Sequence, residues 1–368
     1  MKRILFVANV DSHITAFHLP YLRFFHESGW QVEVAANGGG AFPFADIKYD
    51  ISVRRSPFAA GNLRAFFQLY HIFRRGHYDI VHFHTDAAHL IGLPALLLAG
   101  RRDTKILFTS HGHSYYRGAP LLRWMFLFPM DALLARFTDC VITMNRWDYA
   151  LSRRFHKAKA VELVHGVGVR DIPPADLNAI VRLQNQFGVK DTFVLFYAAE
   201  LRKHKNQELL IRAVSIAKKS IPQIRLLLAG KTFPYQRNCE KLVRKLHQEG
   251  QVLFLGQRED VSELLEIADC VIASSRSEGL PVNLLEAMLH GVPIVATRCR
   301  GHSDLVTHGV NGFLVGRNDF RAMAEYIIEL YKHPELRRRF CERSLRYAEP
   351  YRIGNVYTEM IGIYRRYM

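Results

Sequence analysis

The sequence lacks several features by which whole classes of protein are recognised. Its five cysteines lie far apart and form no Cys-x-x-Cys pair, so neither a zinc site nor a disulfide framework is indicated, and we expect a reducing compartment. The closest approach to a membrane-spanning segment, HLIGLPALLLAG (89–100), is too short to cross a bilayer and predicts a buried helix. The start, MKRILFVANV, has no small-residue cleavage site typical of a signal peptide.

Two ligand-binding signatures are also missing. No Asp-x-Asp occurs, so the sequence offers no carboxylate clamp for a metal-bound diphosphate. Gly-x-Gly-x-x-Gly is absent, and we interpret the glycines at 38–40 as a flexible loop. His82 and His84 share one strand face, as a metal-binding pair would, but no third ligand stands at a suggestive spacing. We therefore expect these histidines to have a packing role, and the protein to use no metal and no cofactor.

Acidic residues are too few to balance the basic ones. The 368 residues include 50 lysines and arginines against 34 aspartates and glutamates, which gives a formal net charge of +16. Such a field favours polyanions, whether phosphates, nucleic acid or an anionic membrane surface. No helix-turn-helix or aromatic-basic recognition motif is present, so we expect no nucleic-acid partner.

Short apolar runs alternate with amphipathic helical stretches, and the series occurs twice. The pattern predicts strands at 4–10, 31–37, 79–84, 105–110 and 139–145, and, after Pro173 and Pro174, at 192–199, 223–230, 252–256, 269–275 and 293–297. Continuous apolar strands with intervening helices indicate parallel sheets covered on both faces. The predicted fold class is therefore α/β, with two doubly wound Rossmann-like domains facing each other across a cleft.

The predicted domains are residues 1–170 and 171–350. Gly166 and Gly168 mark the expected hinge, and a last helix at about 351–368 is expected to pack back on the first domain. In doubly wound sheets, ligands bind outside the carboxyl ends of the strands. The expected site is therefore the cleft between the two domains.

The stretch SEGLPVNLLEAMLHG (277–291) follows one of these strand ends. Glu278 lies in the loop after the strand, and Pro281 suits the first position of the helix that carries Glu286. The exposed amides at 279–283, together with the helix dipole, favour an anion. Together these features predict a nucleotide-sugar site. Glu278 offers a carboxylate to sugar hydroxyls, the helix start can bind an anion, and Glu286 offers a second carboxylate to another polyol.

Several longer segments strengthen this interpretation. They are SRSEGLPVNLLEAMLHGVPIVAT (275–297), GHSDLVTHGVNGFLV (301–315), AELRKHKNQELLIRAV (199–214), VHFHT (81–85), TSHGHSYYRG (109–118), TDCVITMNRWDY (138–149) and VHGVGV (164–169). Together they resemble the retaining GT-B glycosyltransferases of family four. The first-half segments resemble the branch that builds capsular, exopolysaccharide and O-antigen repeat units. The resemblance covers nearly the whole chain and implies the GT-B architecture.

The resemblance assigns roles in the second half of the chain. Glu278 would hold hydroxyls of the donor sugar, beside the helix start formed by Gly279, Leu280 and Pro281, and Glu286 would bind the ribose hydroxyls. Lys205 matches the phosphate-binding lysine of the family.

One position departs from the pattern. Glu200 replaces the usual phosphate-binding arginine, so Arg202 or Lys203 is expected to substitute, because a leaving diphosphate needs two cations. Gln257 and Arg258 close a strand and are expected to face the base.

In the first half, His111 would line the cleft against the donor sugar, and His113 and Tyr115 would line the acceptor side.

The resemblance implies transfer of a sugar from a nucleotide-diphosphate donor, expected to be a UDP-sugar, with retention and front-face attack. The acceptor would be a lipid-diphosphate-linked sugar or a glycan at the cytoplasmic membrane face. Three alternatives stay open: a nucleotide-sugar epimerase, a phosphorylase of the same fold, or a non-catalytic protein that binds nucleotide or glycan. A required acceptor distinguishes a transferase from all three.

Two basic, aromatic segments of the first domain predict contact with a membrane. They are NLRAFFQLYHIFRRGHY (62–78) and RGAPLLRWMFLFPMDALLARF (117–137). Either the aromatic side chains face the core and only the arginines are solvated, or arginines meet anionic head groups while aromatic rings enter the interface. We expect the second arrangement, in a cytoplasmic protein held peripherally at the inner face of the cytoplasmic membrane.

Overall fold

The structure is a computed structural model that describes residues 1–54, 59–101, 103–172 and 176–368. Pro173 and Pro174, at the predicted restart of the pattern, lie outside the described residues. The chain divides into two compact units. The first contains Met1–Gly168 together with Ile353–Met368, and the second contains Val169–Arg352.

The first unit is built on a seven-stranded parallel sheet with the strand order β3-β2-β1-β4-β5-β6-β7. Its strands are β1 (Arg3–Val10), β2 (Gln31–Asn37), β3 (Ile47–Asp50), β4 (Ile80–Phe83), β5 (Lys105–Ser110), β6 (Cys140–Thr143) and β7 (Ala160–Leu163). Its helices are α1 (Asp11–Phe17), α2 (Leu19–Glu27), α3 (Gly61–Arg75), α4 (Asp86–Ala99), α5 (Phe128–Ala135), α6 (Arg146–Phe155) and α15 (Ile353–Arg365), and a π-helical turn (Arg123–Leu127) precedes α5.

The second unit is built on a six-stranded parallel sheet with the order β10-β9-β8-β11-β12-β13. Its strands are β8 (Phe193–Ala198), β9 (Ile224–Ala229), β10 (Val252–Gly256), β11 (Cys270–Ala273), β12 (Ile294–Thr297) and β13 (Gly312–Val315). Its helices are α7 (Leu177–Phe187), α8 (Gln207–Ala217), α9 (Gln236–Lys245), α10 (Val261–Glu266), α11 (Val282–Leu289), α12 (Arg300–Leu305), α13 (Phe320–Lys332) and α14 (Pro334–Ala348), followed by a 3-10 turn (Glu349–Tyr351).

The central strands form because their residues are apolar on both faces. Every residue of β4, β6, β11 and β12 is buried, as a parallel sheet covered by helices on both sides requires. The predicted α/β class with two doubly wound, Rossmann-like units is confirmed. The stretch 89–100 is confirmed as part of a buried helix, α4, in which only Leu98 is an exposed large apolar residue.

Three strands escaped the sequence analysis: β3, β7 and β13. Each has four residues and lies at a sheet edge. In β3 and β7 no residue is fully buried, so neither strand shows the continuous apolar run by which the central strands were found. Edge position, rather than composition, defines β3 and β7, whereas β13 is an apolar and fully buried run.

Each sheet has one point at which the strand order reverses. In the first unit it lies between β1 and β4, and in the second between β8 and β11. Loops that leave two neighbouring strands in opposite directions open a crevice there, at the carboxyl ends of the strands. In the part of the chain that the structure describes, no helix is long and apolar enough to cross a membrane.

Candidate functional site

The reversal point of the second sheet brings together the two side chains that the sequence motifs singled out. Lys205 lies in the loop after β8, and Glu278 lies in the loop after β11. The Lys205 Nζ donates a hydrogen bond of 2.6 Å to Glu278 Oε1, and less than a fifth of either side chain is exposed. A charged pair with so little access to water is held in one geometry more firmly than a surface pair.

Hydrogen bonds between the loops position this pair. The Ser274 hydroxyl donates to the carbonyl oxygen of Lys205 at 2.6 Å, and the Arg276 amide donates to the carbonyl oxygen of His204 at 2.9 Å. Arg300, from the start of α12, donates through Nε to the carbonyl oxygen of Glu278 at 2.9 Å. The backbone on both sides of the ion pair is therefore fixed by groups that the motif analysis did not assign.

A glycine allows α12 to approach the Glu278 loop. A Cβ atom at Gly301 would stand 2.7 Å from the carbonyl oxygen of Gly279 and 2.9 Å from Pro281 Cδ. Both atoms belong to a rigid part of the loop, so neither has room to move aside. Gly301 is therefore part of the architecture of the site, and the signal for it in the sequence is only the glycine after Arg300.

Charges around Glu278 favour its ionised form. Burial disfavours a charged carboxylate, but Lys205 and His302 outweigh burial and hold the pKa of Glu278 below its usual value. His302 is buried against Cys299, and mutual attraction raises the pKa of His302 and lowers the pKa of the Cys299 thiol although burial opposes both charged forms. Sequence reasoning missed His302, because nothing in its local pattern predicts a contact with Glu278.

The helix that follows the Glu278 loop begins one residue later than predicted. Pro281 precedes α11 as its N-cap instead of occupying the first helical position, and no side chain caps the helix start. The side-chain amide of Asn283 donates a hydrogen bond of 3.0 Å to the carbonyl oxygen of Ala198. This bond connects the start of α11 to the end of β8. Gly279 and Leu280 form a bend and Pro281 an extended residue before the uncapped first-turn amides, and such amides suit an anion.

Glu286 lies one turn into α11 and is half-buried. Burial raises the pKa of its carboxyl group above the usual value. Among the described residues its carboxylate makes no hydrogen bond or ion pair. Buried polar groups are normally satisfied, so this carboxylate has bonding capacity to offer a ligand.

Arg202 lies in the same loop as Lys205 but is held by its own neighbours. Its Nε is 2.8 Å from Glu200 Oε2, and its guanidinium lies 3.5 Å from the centre of the Phe233 ring. Beside it opens a cavity of about 620 Å³ lined by Arg202, Lys203, His204, Phe233, Pro234, Tyr235 and Arg276. Glu200 stands where the resemblance implies an arginine. Its carboxylate pairs with Arg202, one of the two residues expected to take over from that arginine.

Arg258 forms a local pair. Its Nε donates to Asp260 Oδ1 at 2.8 Å, and its guanidinium lies 5.7 Å from the Phe187 ring centre. The structure therefore engages Arg258 within its own loop. Its expected contact with a base stays a prediction.

In the first unit, His111 follows β5 and belongs to a group of histidines. Its Nε2 is hydrogen-bonded to His13 Nε2 at 3.1 Å, and the His18 ring is tilted against those of His13 and His84, with centroid distances of 5.0 and 3.8 Å. Desolvation, with contributions from neighbouring histidines, lowers the pKa of His18, His84 and His111. These side chains are therefore neutral at neutral pH.

The packing role predicted for the two strand histidines is confirmed for His82. It is buried and hydrogen-bonded to the hydroxyl of Tyr364 at 2.7 Å and to that of Thr109 at 2.8 Å. His84 is equally buried, but neither of its ring nitrogens has a hydrogen-bond partner among the described residues.

The expectation that His113 and Tyr115 line an open acceptor site is wrong. Both are buried, and the Tyr115 hydroxyl lies among Asp131, His156 and His113, at 3.0 Å from His156 Nε2 and 3.3 Å from His113 Nδ1. His113 also bonds the Ser152 hydroxyl at 2.9 Å. This buried network stabilises the loop after β5 and leaves none of these groups at a surface.

The two basic, aromatic segments differ in what they expose. In 62–78, Phe73 is buried and Phe66 and Tyr70 are half-buried, so the core-facing arrangement holds for most of its rings. In 117–137, Trp124 packs inward, with Nε1 donating to the Tyr116 carbonyl oxygen at 3.2 Å. Seven large apolar side chains of this segment are exposed instead: Leu121 (72%), Leu122 (65%), Met125 (56%) and Phe126 (51%), next to the exposed arginines Arg117 and Arg123, and, further along the chain, Met130, Leu133 and Phe137.

The two parallel Rossmann-like sheets give the chain the GT-B fold, and the family comparisons identify it as a glycosyltransferase. The model of "Glycosyltransferase Family 4" matches residues 21–167, and that of "Glycosyl transferases group 1" matches residues 182–346. The chain is 38% identical over 374 residues to the "Putative glycosyltransferase EpsD" of Bacillus subtilis. The aligned region covers the whole of this chain and 97% of that protein. The chain therefore belongs to the glycosyltransferases that combine these two domains.

Two more distant relatives add detail. An Escherichia coli protein named UDP-Gal:alpha-D-GlcNAc-diphosphoundecaprenol alpha-1,3-galactosyltransferase is 24% identical over 285 residues, which cover 73% of this chain and 70% of that protein. The crystal structure of Anabaena Alr3699/HepE in complex with UDP and glucose superposes with a TM-score of 0.81 at 21% identity, and covers the whole of both chains. At 21% identity, the similarity to the Anabaena structure shows that the two proteins share a fold and nothing more.

Proposed function

We propose that the protein transfers a sugar from a UDP-sugar to a lipid-diphosphate-linked or glycan acceptor, with retention and without a metal, in the synthesis of a cell-surface polysaccharide. The observation that carries the proposal is the 2.6 Å contact between Lys205 and Glu278 at the reversal point of the second sheet. The relatives favour this substrate class, since the E. coli protein is named for UDP-Gal and for an undecaprenol-diphosphate acceptor.

The ion pair explains how an unliganded site stays stable and becomes a donor site. In the free protein Lys205 and Glu278 neutralise each other, so neither buried charge is left unpaired. A donor diphosphate would take the ammonium group of Lys205, and donor-sugar hydroxyls would take the carboxylate of Glu278. Both exchanges replace one charge-assisted bond with another, which keeps the site free of unpaired charge throughout binding.

Three cationic features suit the leaving diphosphate without a metal. They are Lys205, the uncapped start of α11, and the basic lining of the cavity that contains Arg202. Positive groups placed where negative charge develops stabilise the transition state. The carboxylate of Glu286, which lacks a partner among the described residues, is a suitable acceptor for the two ribose hydroxyls.

A donor screen tests the proposal. The protein is incubated with each common nucleotide sugar, with and without a lipid-diphosphate-linked acceptor, and the release of nucleoside diphosphate is measured. We expect release from a UDP-sugar that depends on the acceptor, and a product whose anomeric configuration by proton NMR is that of the donor. Epimerised donor without an acceptor would favour the epimerase alternative, and phosphate-dependent cleavage of a glycan would favour a phosphorylase.

Variants identify the site within the same assay. Lys205→Ala and Glu278→Gln are compared with the exposed, charge-matched controls Lys241→Ala and Glu249→Gln. We expect loss of release only in the first two. Equal activity in all four folded proteins would overturn the assignment of this ion pair.

The surface of segment 117–137 supports contact with an anionic bilayer. Four exposed apolar side chains, at 121, 122, 125 and 126, lie beside exposed arginines on a chain of net charge +16. Apolar side chains entering the interface and arginines meeting head groups would bind an anionic surface reversibly, with each basic residue contributing about 1 kcal/mol. This surface would bring the acceptor-binding unit to a lipid-linked acceptor.

Vesicle sedimentation tests the membrane contact. Leu122→Ser/Phe126→Ser is compared with Leu177→Ser/Val181→Ser, a control that removes two similarly exposed apolar side chains from the second unit. We expect wild type and control to sediment with anionic vesicles at low salt and the 122/126 variant to stay in solution. Equal partitioning of all three proteins would reject this surface.

A further inference from the structure

Three histidines of the first unit lie close enough to share one ligand. His13, His18 and His111 each place a ring nitrogen within 4.8 Å of the other two. They come from α1, from the junction of α1 with α2, and from the residue after β5, so they meet at the reversal point of the first sheet. The closest pair of nitrogens, Nε2 of His13 and Nε2 of His111, is separated by 3.1 Å.

The chemistry of this group is unusual because polar atoms are buried without partners. His18 is only 3% exposed, and neither of its ring nitrogens is hydrogen-bonded within the described residues. His84 is also buried, and neither of its ring nitrogens is hydrogen-bonded within the described residues. Its ring lies against that of His18, with the centroids 3.8 Å apart. Burying such nitrogens without a partner is unfavourable, so a group that satisfies them would stabilise the fold.

We propose that His13, His18 and His111 bind one divalent transition-metal ion of the Zn²⁺ class. Imidazole nitrogens bind zinc at about 2.0–2.1 Å, which places two ligands of a tetrahedral ion roughly 3.4 Å apart. The His13–His111 spacing is already close to that value, and the His18 nitrogen, which lies within 4.8 Å of the other two, needs to approach by at most about 1.4 Å.

The donor set selects among cations. Three nitrogens suit zinc, nickel or copper, whereas calcium and magnesium prefer oxygen ligands. Three protein ligands leave a fourth tetrahedral position, and the half-buried rings of His13 and His111 place it towards the more open side of the group. This ion would be held by histidines of the first unit. It would not act as a carboxylate-bound ion on the donor diphosphate, because the sequence has no Asp-x-Asp to hold one.

A second group of possible ligands shows why the three-histidine group is the stronger site. His113, Asp131 and His156 are equally close to one another, but all three are buried around the Tyr115 hydroxyl. That hydroxyl hydrogen-bonds to each of them and so lies where a shared ion would have to bind. In the three-histidine group, by contrast, His13 and His111 are hydrogen-bonded to each other, but neither ring nitrogen of His18 has a hydrogen-bond partner among the described residues.

Metal titration of the full chain tests the proposal, with no donor or acceptor present. Zn²⁺ binding is measured by calorimetry and Co²⁺ binding by its visible absorption. The variants are His13→Gln and His18→Gln, and the matched control is His71→Gln, an exposed histidine of α3. We expect one ion per wild-type chain and affinity at least about tenfold weaker in the two site variants. The control should bind as wild type does.

Two results would overturn the proposal. Wild type without saturable binding would reject it, and so would equal binding by wild type and His13→Gln, which would assign the metal to other members of the 18 histidines. His13 is only half-buried, so this variant keeps the test valid if His18→Gln does not fold. As a second readout, Zn²⁺ should raise the unfolding temperature of wild type and not that of His13→Gln, because only a ligand of the native state stabilises it.

Discussion

The strand order reverses once in each sheet, and the side chains at the two reversal points differ: a lysine–glutamate pair in the second unit and a group of histidines in the first. In the second unit, the loops after β8 and β11 join a lysine to a glutamate and leave a carboxylate and an uncapped helix start beside them. In the first unit, the loops after β1, β4 and β5 bring together histidines, two of which have no hydrogen-bond partner within the described residues. The two proposed sites therefore occupy equivalent places in the topology, and their loop side chains are what distinguish the proposed nucleotide-sugar site from the proposed ion site.

The largest effect is expected where the second site is broken. Glu278→Gln and Lys205→Ala should each lower kcat/KM by about 100-fold, because each removes a charge-assisted bond of roughly 1.5–3 kcal/mol and leaves its partner buried and unpaired. Steady-state kinetics with the preferred donor measure the loss. If the assignment is right, neither variant changes metal binding at the first site. A folded variant with near-normal turnover would contradict it.

Packing at the second site is tested with Gly301→Ala. The added Cβ would meet the Gly279 carbonyl oxygen at 2.7 Å, so we expect a loss of about 1–3 kcal/mol in the free energy of unfolding. Gly354→Ala, where a Cβ meets nothing within 4 Å, is the control and should not destabilise the protein. Urea unfolding gives both values. Equal stabilities would mean that α12 does not depend on this close approach.

Glu286 sharpens the distinction between binding and chemistry within the second site. Glu286→Gln should raise the KM for the donor by about tenfold and change kcat little, because the ribose bonds are the same in the ground and transition states. Donor-dependent kinetics separate the two constants. A fall in kcat at unchanged KM would instead place Glu286 at the reacting centre.

Metal removal separates the two sites directly. A chelator should leave transferase activity unchanged, because cationic groups of the second unit are proposed to stabilise the diphosphate. Added Zn²⁺ should lower activity, since an ion on His111 would occupy the residue expected at the donor sugar. Activity assays with chelator and with Zn²⁺, in wild type and His13→Gln, test both statements. Activity lost in chelator and restored by Mg²⁺ or Mn²⁺ would reject the metal-independent mechanism.

The smallest effect concerns pH. The pKa of Glu278 is lowered in the folded state, so its ion pair contributes stability above the unfolded value of 4.5, and that contribution disappears as the pH falls through the folded value. The difference in unfolding free energy between wild type and Glu278→Gln should therefore be largest near neutral pH and shrink in acid. Urea unfolding at several pH values measures it, and a difference independent of pH would deny the pair any electrostatic role.

Much of the fold was predictable, because buried parallel strands carry continuous apolar runs that a sequence displays directly. The short edge strands β3 and β7 were not, since half-exposed residues show no such run. Two recognisable motifs at strand ends predicted Lys205 and Glu278 as site residues, but not the contact between them. The contributions of Arg300 and His302 did not, because they depend on how α12 packs against the Glu278 loop.

Surface and buried side chains were harder to distinguish. Segment 117–137 has apolar residues at too many successive positions for one helical face, which indicated an exposed apolar surface. It gave no indication that Trp124 packs inward while Phe126 is exposed. A π-helical turn at Arg123–Leu127 changes the spacing of the side chains there, so helical periodicity does not predict their directions.

The sequence by itself determined the class of the fold, the family and the motif that places Glu278 before a helix start. These depend on local patterns, apolar runs, glycines and short motifs, which a linear chain carries directly. Only the tertiary structure decided that Lys205 pairs with Glu278, that Tyr115 is buried among Asp131, His156 and His113, and that His13, His18 and His111 converge. Such contacts join segments far apart in the chain, and they arise because parallel strands bring the loops at their carboxyl ends to one edge of the sheet.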